Sequence, residues 1–127
     1  LSGSGTVDAQ MLRGLQALSV EDNKTALAAF TKAVEAQPDF AEAWNKRATV
    51  YYLLGRYDAS VIDIHKTLTL EPRHFGALSG LALINLALGR EREALKAFEA
   101  ALRVHPNLPG ADTHIRELRE RIKGKGI

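Results

Sequence analysis

Residues 41–74 read AEAWNKRATVYYLLGRYDASVIDIHKTLTLEPRH, and the chain repeats variations on this 34-residue phrase on either side of it. Pro72, near its end, has counterparts at Pro38 and Pro106, one period before and one after. The same step links Gly14, Ala48 and Ala82; Ala26, Ser60 and Ala94; Leu27, Val61 and Leu95; Phe30, Ile64 and Phe98; and Ala33, Thr67 and Ala101. Gly55 and Gly89 obey it too. Chance could produce one such series, but not several in a single register. The chain is therefore an array of one supersecondary unit, with repeats at about 7–40, 41–74 and 75–108.

Each unit reads as a hairpin of two helices. Trp44, Ala48, Tyr51 and Tyr52 recur at helical spacing in the first half of the second unit, as do Leu78, Leu81, Ala82 and Leu86 in the third. Gly55-Arg56 and Gly89-Arg90 follow, where glycine accepts the left-handed backbone that ends a helix. A second stripe then appears, Val61, Ile64 and Leu68 or Leu95, Phe98 and Leu102, before a proline that cannot continue a helix. The spacing predicts helices near 8–19, 23–36, 41–54, 58–70, 75–88 and 92–104. The small residues in the repeating register let helix axes approach closely.

The run Ala41-Glu-Ala-Trp44 … Ala48 … Tyr51 … Gly55 … Tyr57 … Pro72 resembles the tetratricopeptide repeat consensus. Phe75 to Leu108 resembles it well and Val7 to Phe40 more loosely, so the likeness covers about four-fifths of the chain. It implies an all-α fold, a right-handed α-solenoid of three hairpins plus a C-terminal capping helix, in a single domain spanning residues 1–127. Arg13 and Arg47 depart from it by standing where leucine is usual, and Asn85 by standing where tyrosine is usual. A buried Asn85 would need a hydrogen-bond partner. RNA-binding helical repeats of similar length lack the Trp/Gly/Tyr/Ala/Pro arrangement, and the Thr-Pro-Leu-His signature of ankyrin repeats is absent.

After Pro109-Gly110, the residues Ala111, Ile115, Leu118 and Ile122 form one more apolar stripe, predicting a helix at about 110–123. Arg116, Glu117, Arg119, Glu120, Arg121 and Lys123 occupy its other faces. A mixed-charge exterior over one apolar stripe suits the end of a solenoid, which must shield the last repeat from water. The alternating glutamates argue against a nucleic-acid helix.

Composition narrows the function classes. With 46% hydrophobic and 25% charged residues the chain is an ordinary globular sequence. It has no cysteine, which removes disulfides, thiolate metal sites and cysteine nucleophiles. The net charge of +2 is spread along the chain, without the basic clustering of nucleic-acid or anionic-membrane binders. The most apolar run, Leu81 to Leu88, is too short to span a bilayer. His65, His74, His105 and His114 lack ligand spacing, so no metal or other cofactor is expected. An anion on the helix start after Pro72-Arg73-His74 is the alternative to a plain inter-repeat turn. No base–nucleophile pair or phosphate loop appears, and no enzyme is expected.

The resemblance further implies that the first helix of each hairpin faces a concave groove that receives a protein or peptide segment. In this sequence the corresponding residues are Asp8, Met11, Leu12, Leu15 and Leu18, then Glu42, Asn45, Lys46, Thr49, Tyr52 and Leu53, then Gly76, Ser79, Gly80, Leu83 and Leu86. The co-chaperone members grip the terminal carboxylate of heat-shock chaperones with lysine, asparagine and a basic pair. The slots for those groups hold Met11, Leu15, Lys46, Gly76 and Gly80 here, so that clamp is missing. Two readings stay open: a groove for a partner peptide, or an accessory or assembly domain of a larger exported or membrane-associated protein, its groove covered by chain preceding Leu1 or by a second copy in a homodimer. Gly76 and Gly80, one turn apart, suggest close approach to that backbone or tight internal packing. Trp44 reads as core. The chain starts at Leu1 and not at Met, which reads as a fragment of a longer product. Its likeness to small bacterial tetratricopeptide proteins of undefined function leans toward a periplasmic or exported setting.

Overall fold

The computed structural model describes residues 5–107 and 109–124 and shows seven helices and no strand among them. Expectations for residues 1–4, Leu108 and residues 125–127 lie outside the described residues. In chain order the helices are α1 (Gly5–Ser19), α2 (Asn23–Ala36), α3 (Ala41–Leu53), α4 (Tyr57–Leu70), α5 (Phe75–Ala87), α6 (Glu91–Val104) and α7 (Ala111–Gly124). Boundaries agree with the spacing to within one residue, except that α1 begins three residues early. Nothing in Gly5, Thr6 or Val7 breaks a helix, whereas the apolar periodicity starts only at Val7.

Each hairpin is turned in the same way. Asp22, Arg56 and Arg90 donate their amides back to the carbonyls of Ala17, Tyr51 and Asn85 at 2.8–2.9 Å, and the residue before each donates to a carbonyl three back. This doubled closure satisfies carbonyls that the helix end would leave bare. Gly55 and Gly89 take φ of 74° there, as expected. The equivalent residue in the first hairpin is Glu21, which adopts φ 58° without being glycine. The second helix of each hairpin ends on a matching bond: the amides of Gln37, Glu71 and His105 reach Ala33, Thr67 and Ala101. Pro38, Pro72 and Pro106 each follow one residue later, so they stand just beyond completed helices.

The helices gather into two compact units, one ending at Pro72 and the other beginning at Arg73. In the first, α1 packs on α2, α2 on α3 and α3 on α4. Val7, Met11 and Ala17 of α1, Ala26, Phe30, Ala33 and Val34 of α2, and Ala43 and Val50 of α3 share one core, with Trp44 and Leu18 against its edge. At Gly14, α1 and α2 approach closely, because a Cβ there would fall 2.4 Å from Phe30 Cε1. In the second unit α6 packs on both α5 and α7, and α7 buries Ala111, Ile115 and Leu118. Burial of Ile115 and Leu118 stabilises by roughly 1.5–3 kcal/mol each before conformational entropy is subtracted. The small residues of the repeating register behave as the sequence required: Ala26, Ser60 and Ala94 are all buried, as are Ala33, Thr67 and Ala101.

Candidate functional site

The first helix of each hairpin has a face that packing leaves open. On α1 the exposed positions include Leu12, Leu15 and Ser19. One period on, α3 exposes Thr49 and Leu53 and leaves Lys46 partly covered. On α5, considered within its own unit, Leu83 and Ala87 are exposed and Gly80 is partly covered. These positions are 34-residue equivalents, and at 100° per residue they occupy one arc of each helix. Leu12 is 57% exposed, Leu15 43%, Leu53 54% and Leu83 47%, values that leave much of each large apolar side chain in water.

Two residues expected on this face are not there. Met11 is 7% exposed and belongs to the first core. Asn45 is also buried, and its Nδ2 donates to Glu42 Oε1 at 3.3 Å. The physical reason is rotation: residues four apart differ by about 40° around a helix. That is enough to carry the 11/45 register inward of the 15/49 register. The third member, Ser79, is partly covered, and its Oγ is buried without a hydrogen-bond partner among the described residues. Leu18 leans on the core, and Leu86 is partly buried. Tyr52 is partly covered too, its ring 5.6 Å from that of Tyr57. Thr49 Oγ1 donates to the Asn45 carbonyl at 3.2 Å, the back-bond of a helical threonine. The exposed set is thus Leu12, Leu15, Thr49, Leu53 and Leu83, with Lys46 at its border.

The electrostatics of the neighbouring face explain a departure noted in the sequence. Arg47, at a position where leucine is usual, lays its guanidinium over the Trp44 and Tyr51 rings at 5.2 and 5.5 Å. Its Nε and Nη2 donate to both carboxylate oxygens of Asp63 at 2.7 and 2.9 Å. The Asp63 hydrogen bond, opposed by burial, holds the guanidinium pKa above its ordinary value. Trp44 in turn donates Nε1–H to the Pro38 carbonyl at 2.8 Å. Trp44 is therefore fixed as structure. Sequence reading missed Asp63, although a charged residue inside the Val61/Ile64 stripe, facing a misplaced arginine, was a usable signal. Arg13 is exposed, which accounts for its tolerance at a comparable slot.

The histidines are dispersed in separate roles. His74 Nδ1 accepts the amide of Ala77 at 3.0 Å and so caps α5, which supports the turn interpretation of Pro72-Arg73-His74. His105 stands edge-on to Phe75 at 4.5 Å, and His114 lies parallel to Phe98 at 6.2 Å. His65 is exposed on α4. Asn85 is buried on α5. A cleft of about 330 Å³ lined by Phe75, His105, Pro106, Asn107 and Pro109 opens in the second unit. Among the described residues, no helix is long and apolar enough to cross a membrane.

Comparisons with known proteins agree with this architecture. The family profile described as Tetratricopeptide repeat matches residues 11–66 and 63–112. A TPR repeat-containing protein of Rhizobium etli is 39% identical over 97% of this chain, and the chain spans 60% of that relative's length. Among solved structures, the first TPR of Spaghetti (RPAP3), bound to the HSP90 peptide SRMEEVD, superimposes with a TM-score of 0.88 at 22% identity, covering 94% of this chain and 95% of that one. The TPR2B domain of yeast Sti1, in a complex with pHsp70, gives 0.83 at 19% identity, covering 93% and 99%.

Proposed function

Because this chain belongs to the tetratricopeptide repeat family, we propose that it is a non-enzymatic interaction module that holds a peptide or protein segment against the first helices of its hairpins. One observation carries this assignment. Within the first unit, positions 12, 15 and 19 of α1 and their 34-residue equivalents on α3 leave one arc open, which displays Leu12, Leu15 and Leu53 to solvent. Exposed leucines cost solubility, and an arc left open in the same register of successive hairpins suits a surface kept for contact. The structural neighbours bound to chaperone peptides support the class of function. They do not extend to the guest itself: the slots used for a terminal carboxylate carry no basic pair, and Met11, in one of them, is buried.

The test is affinity capture with matched surface variants. Leu15→Asp and Thr49→Glu place charge on the open arc, while Lys32→Glu on α2 and Ile62→Glu on α4 alter exposed positions elsewhere. Partners retained by the wild type should be lost from the first pair and kept by the second, with unchanged thermal melts throughout. Equal capture by all four variants removes the open arc as the binding surface. Light scattering on the wild type and Leu15→Asp separates a guest from self-association, because a dimer that dissociates on Leu15→Asp reassigns the surface to a second copy.

A further inference from the structure

We propose, resting on the assignment of the open arc as the binding surface, that its guest is an apolar segment carrying an internal side-chain carboxylate, received by Lys46. Charge on the open faces is sparse, and the carboxylates in their register, Asp8 on α1 and Glu42 on α3, both have partners of their own. Helix α5 contains no charged residue at all. On α3, the Glu42 carboxylate already accepts the Asn45 amide. Arg47, next to Lys46 in sequence, is turned to the other side of α3 and held by both oxygens of Asp63. Lys46 makes no ion pair among the described residues; it is partly covered, one and two turns from the exposed Thr49 and Leu53 on α3 and one repeat on from Leu12.

This arrangement selects the chemistry of the guest. A single ammonium beside apolar side chains matches one carboxylate, whereas a phosphate group calls for a cluster of arginines and a forked contact. A chain-terminal carboxylate would need further cations, and positions 12, 15, 49 and 53, which share the open arc of α1 and α3 with Lys46, hold none. Leu12, Leu15 and Leu53 supply affinity through apolar burial, and Lys46 fixes register and polarity, the usual division between area and charge at an interface.

The probe is a displayed library of 12-residue segments fused at both ends, so that no free C-terminus is present. It is panned against wild type, Lys46→Met, Lys46→Glu and Leu15→Asp, each checked for an unchanged circular-dichroism melt. Wild type should enrich segments rich in Leu, Ile, Val and Met that contain Asp or Glu, with acidic residues about threefold over the input, as expected for a partly exposed pair. Lys46→Met should keep the apolar enrichment and lose the acidic one, and Lys46→Glu should enrich Lys or Arg in its place. Acidic enrichment that survives in Lys46→Met overturns the inference while leaving the groove assignment standing. Absence of apolar enrichment with wild type, or its persistence in Leu15→Asp, overturns the groove assignment itself.

Discussion

Arg47 and Asp63 form a two-bonded ion pair between α3 and α4, with the Asp63 side chain only 2% exposed and that of Arg47 17% exposed. Removing one partner leaves a buried charge without compensation, which costs about 3–5 kcal/mol in comparable settings. Asp63→Ala and Arg47→Ala should therefore each lower stability strongly in urea unfolding. The double change Arg47→Met/Asp63→Leu should recover most of that loss, since apolar replacement of a whole pair is close to neutral. A double variant no better than the worse single one would show that the pair is not the coupled unit described. Because the arginine pKa is raised in the folded state, its contribution is present below the unfolded value and fades only as pH climbs through the folded one. Stability from this group should thus be flat from neutral to mildly alkaline pH.

Gly14 and Phe30 set the spacing of the first hairpin. A Cβ at Gly14 would stand 2.4, 2.5 and 2.8 Å from three ring atoms of Phe30, which is fully buried and has nowhere to turn. Gly14→Ala should destabilise by about 1–3 kcal/mol through overpacking, despite the better helix propensity of alanine. Phe30→Leu in that background should restore part of the loss. Thermal melts of the two single variants and the double decide it.

The fold was legible because its marks are periodic. Proline after each second helix, glycine in two of the three turns and small residues at each crossing repeat every 34 residues, and the helices follow them. The open face was legible only in part. Leu15, Thr49 and Leu83 could be placed by register, but Met11 and Asn45 lie 40° away, on the boundary between surface and core, where spacing alone does not say which side wins. Packing decides at that boundary, and packing depends on neighbours brought from other helices. Asp63 shows the same limit: its partner is 16 residues away, beyond the reach of any pattern within a single helix.

Glu21 occupies the turn position that Gly55 and Gly89 fill in the other hairpins, with φ of 58°. A residue with a Cβ is strained there by roughly 1–2 kcal/mol, whereas glycine is not. Glycine also loses more freedom on folding, which offsets some of the gain. Glu21→Gly should therefore stabilise by about 0.5–1 kcal/mol. Gly55→Ala should do the opposite by a similar amount, although a Cβ there meets no atom within 4 Å, because its cost lies in the backbone. Equal melting temperatures for Glu21→Gly and wild type would argue that the strain is relieved elsewhere.

Asp22 caps α2 by accepting the Thr25 amide at 3.1 Å, and hydrogen bonding from the Thr25 side chain, together with that amide, lowers its pKa from the ordinary carboxylate value. The sign follows from linkage: stability from a depressed carboxylate is present above its unfolded pKa and lost as pH falls through the folded one. Asp22→Ala should melt below wild type at neutral pH. The gap should close progressively below about pH 4, where aspartate begins to protonate. A gap that stays constant down to the acid limit would assign the effect to helix propensity and not to the charged cap.

Helix α7 closes the second unit by two kinds of contact of very different weight. Arg119–Glu99 and Arg121–Glu91 pair at 2.7 Å, but Arg119 and Arg121 are more than half exposed, and such surface pairs contribute about 0–1 kcal/mol. Ile115 and Leu118 are 5% and 2% exposed and carry the larger share. Leu118→Ala should cost about 2–5 kcal/mol, while Arg119→Ala should stay within a fraction of that. Removal of everything after Pro109 strips the apolar stripe altogether and uncovers the face of α6 that α7 shields. The truncated chain should aggregate or melt without a sharp transition, as followed by sedimentation and circular dichroism. A monomeric truncated chain with a wild-type melt would mean that α7 is an appendage and that α6 can end the array unaided.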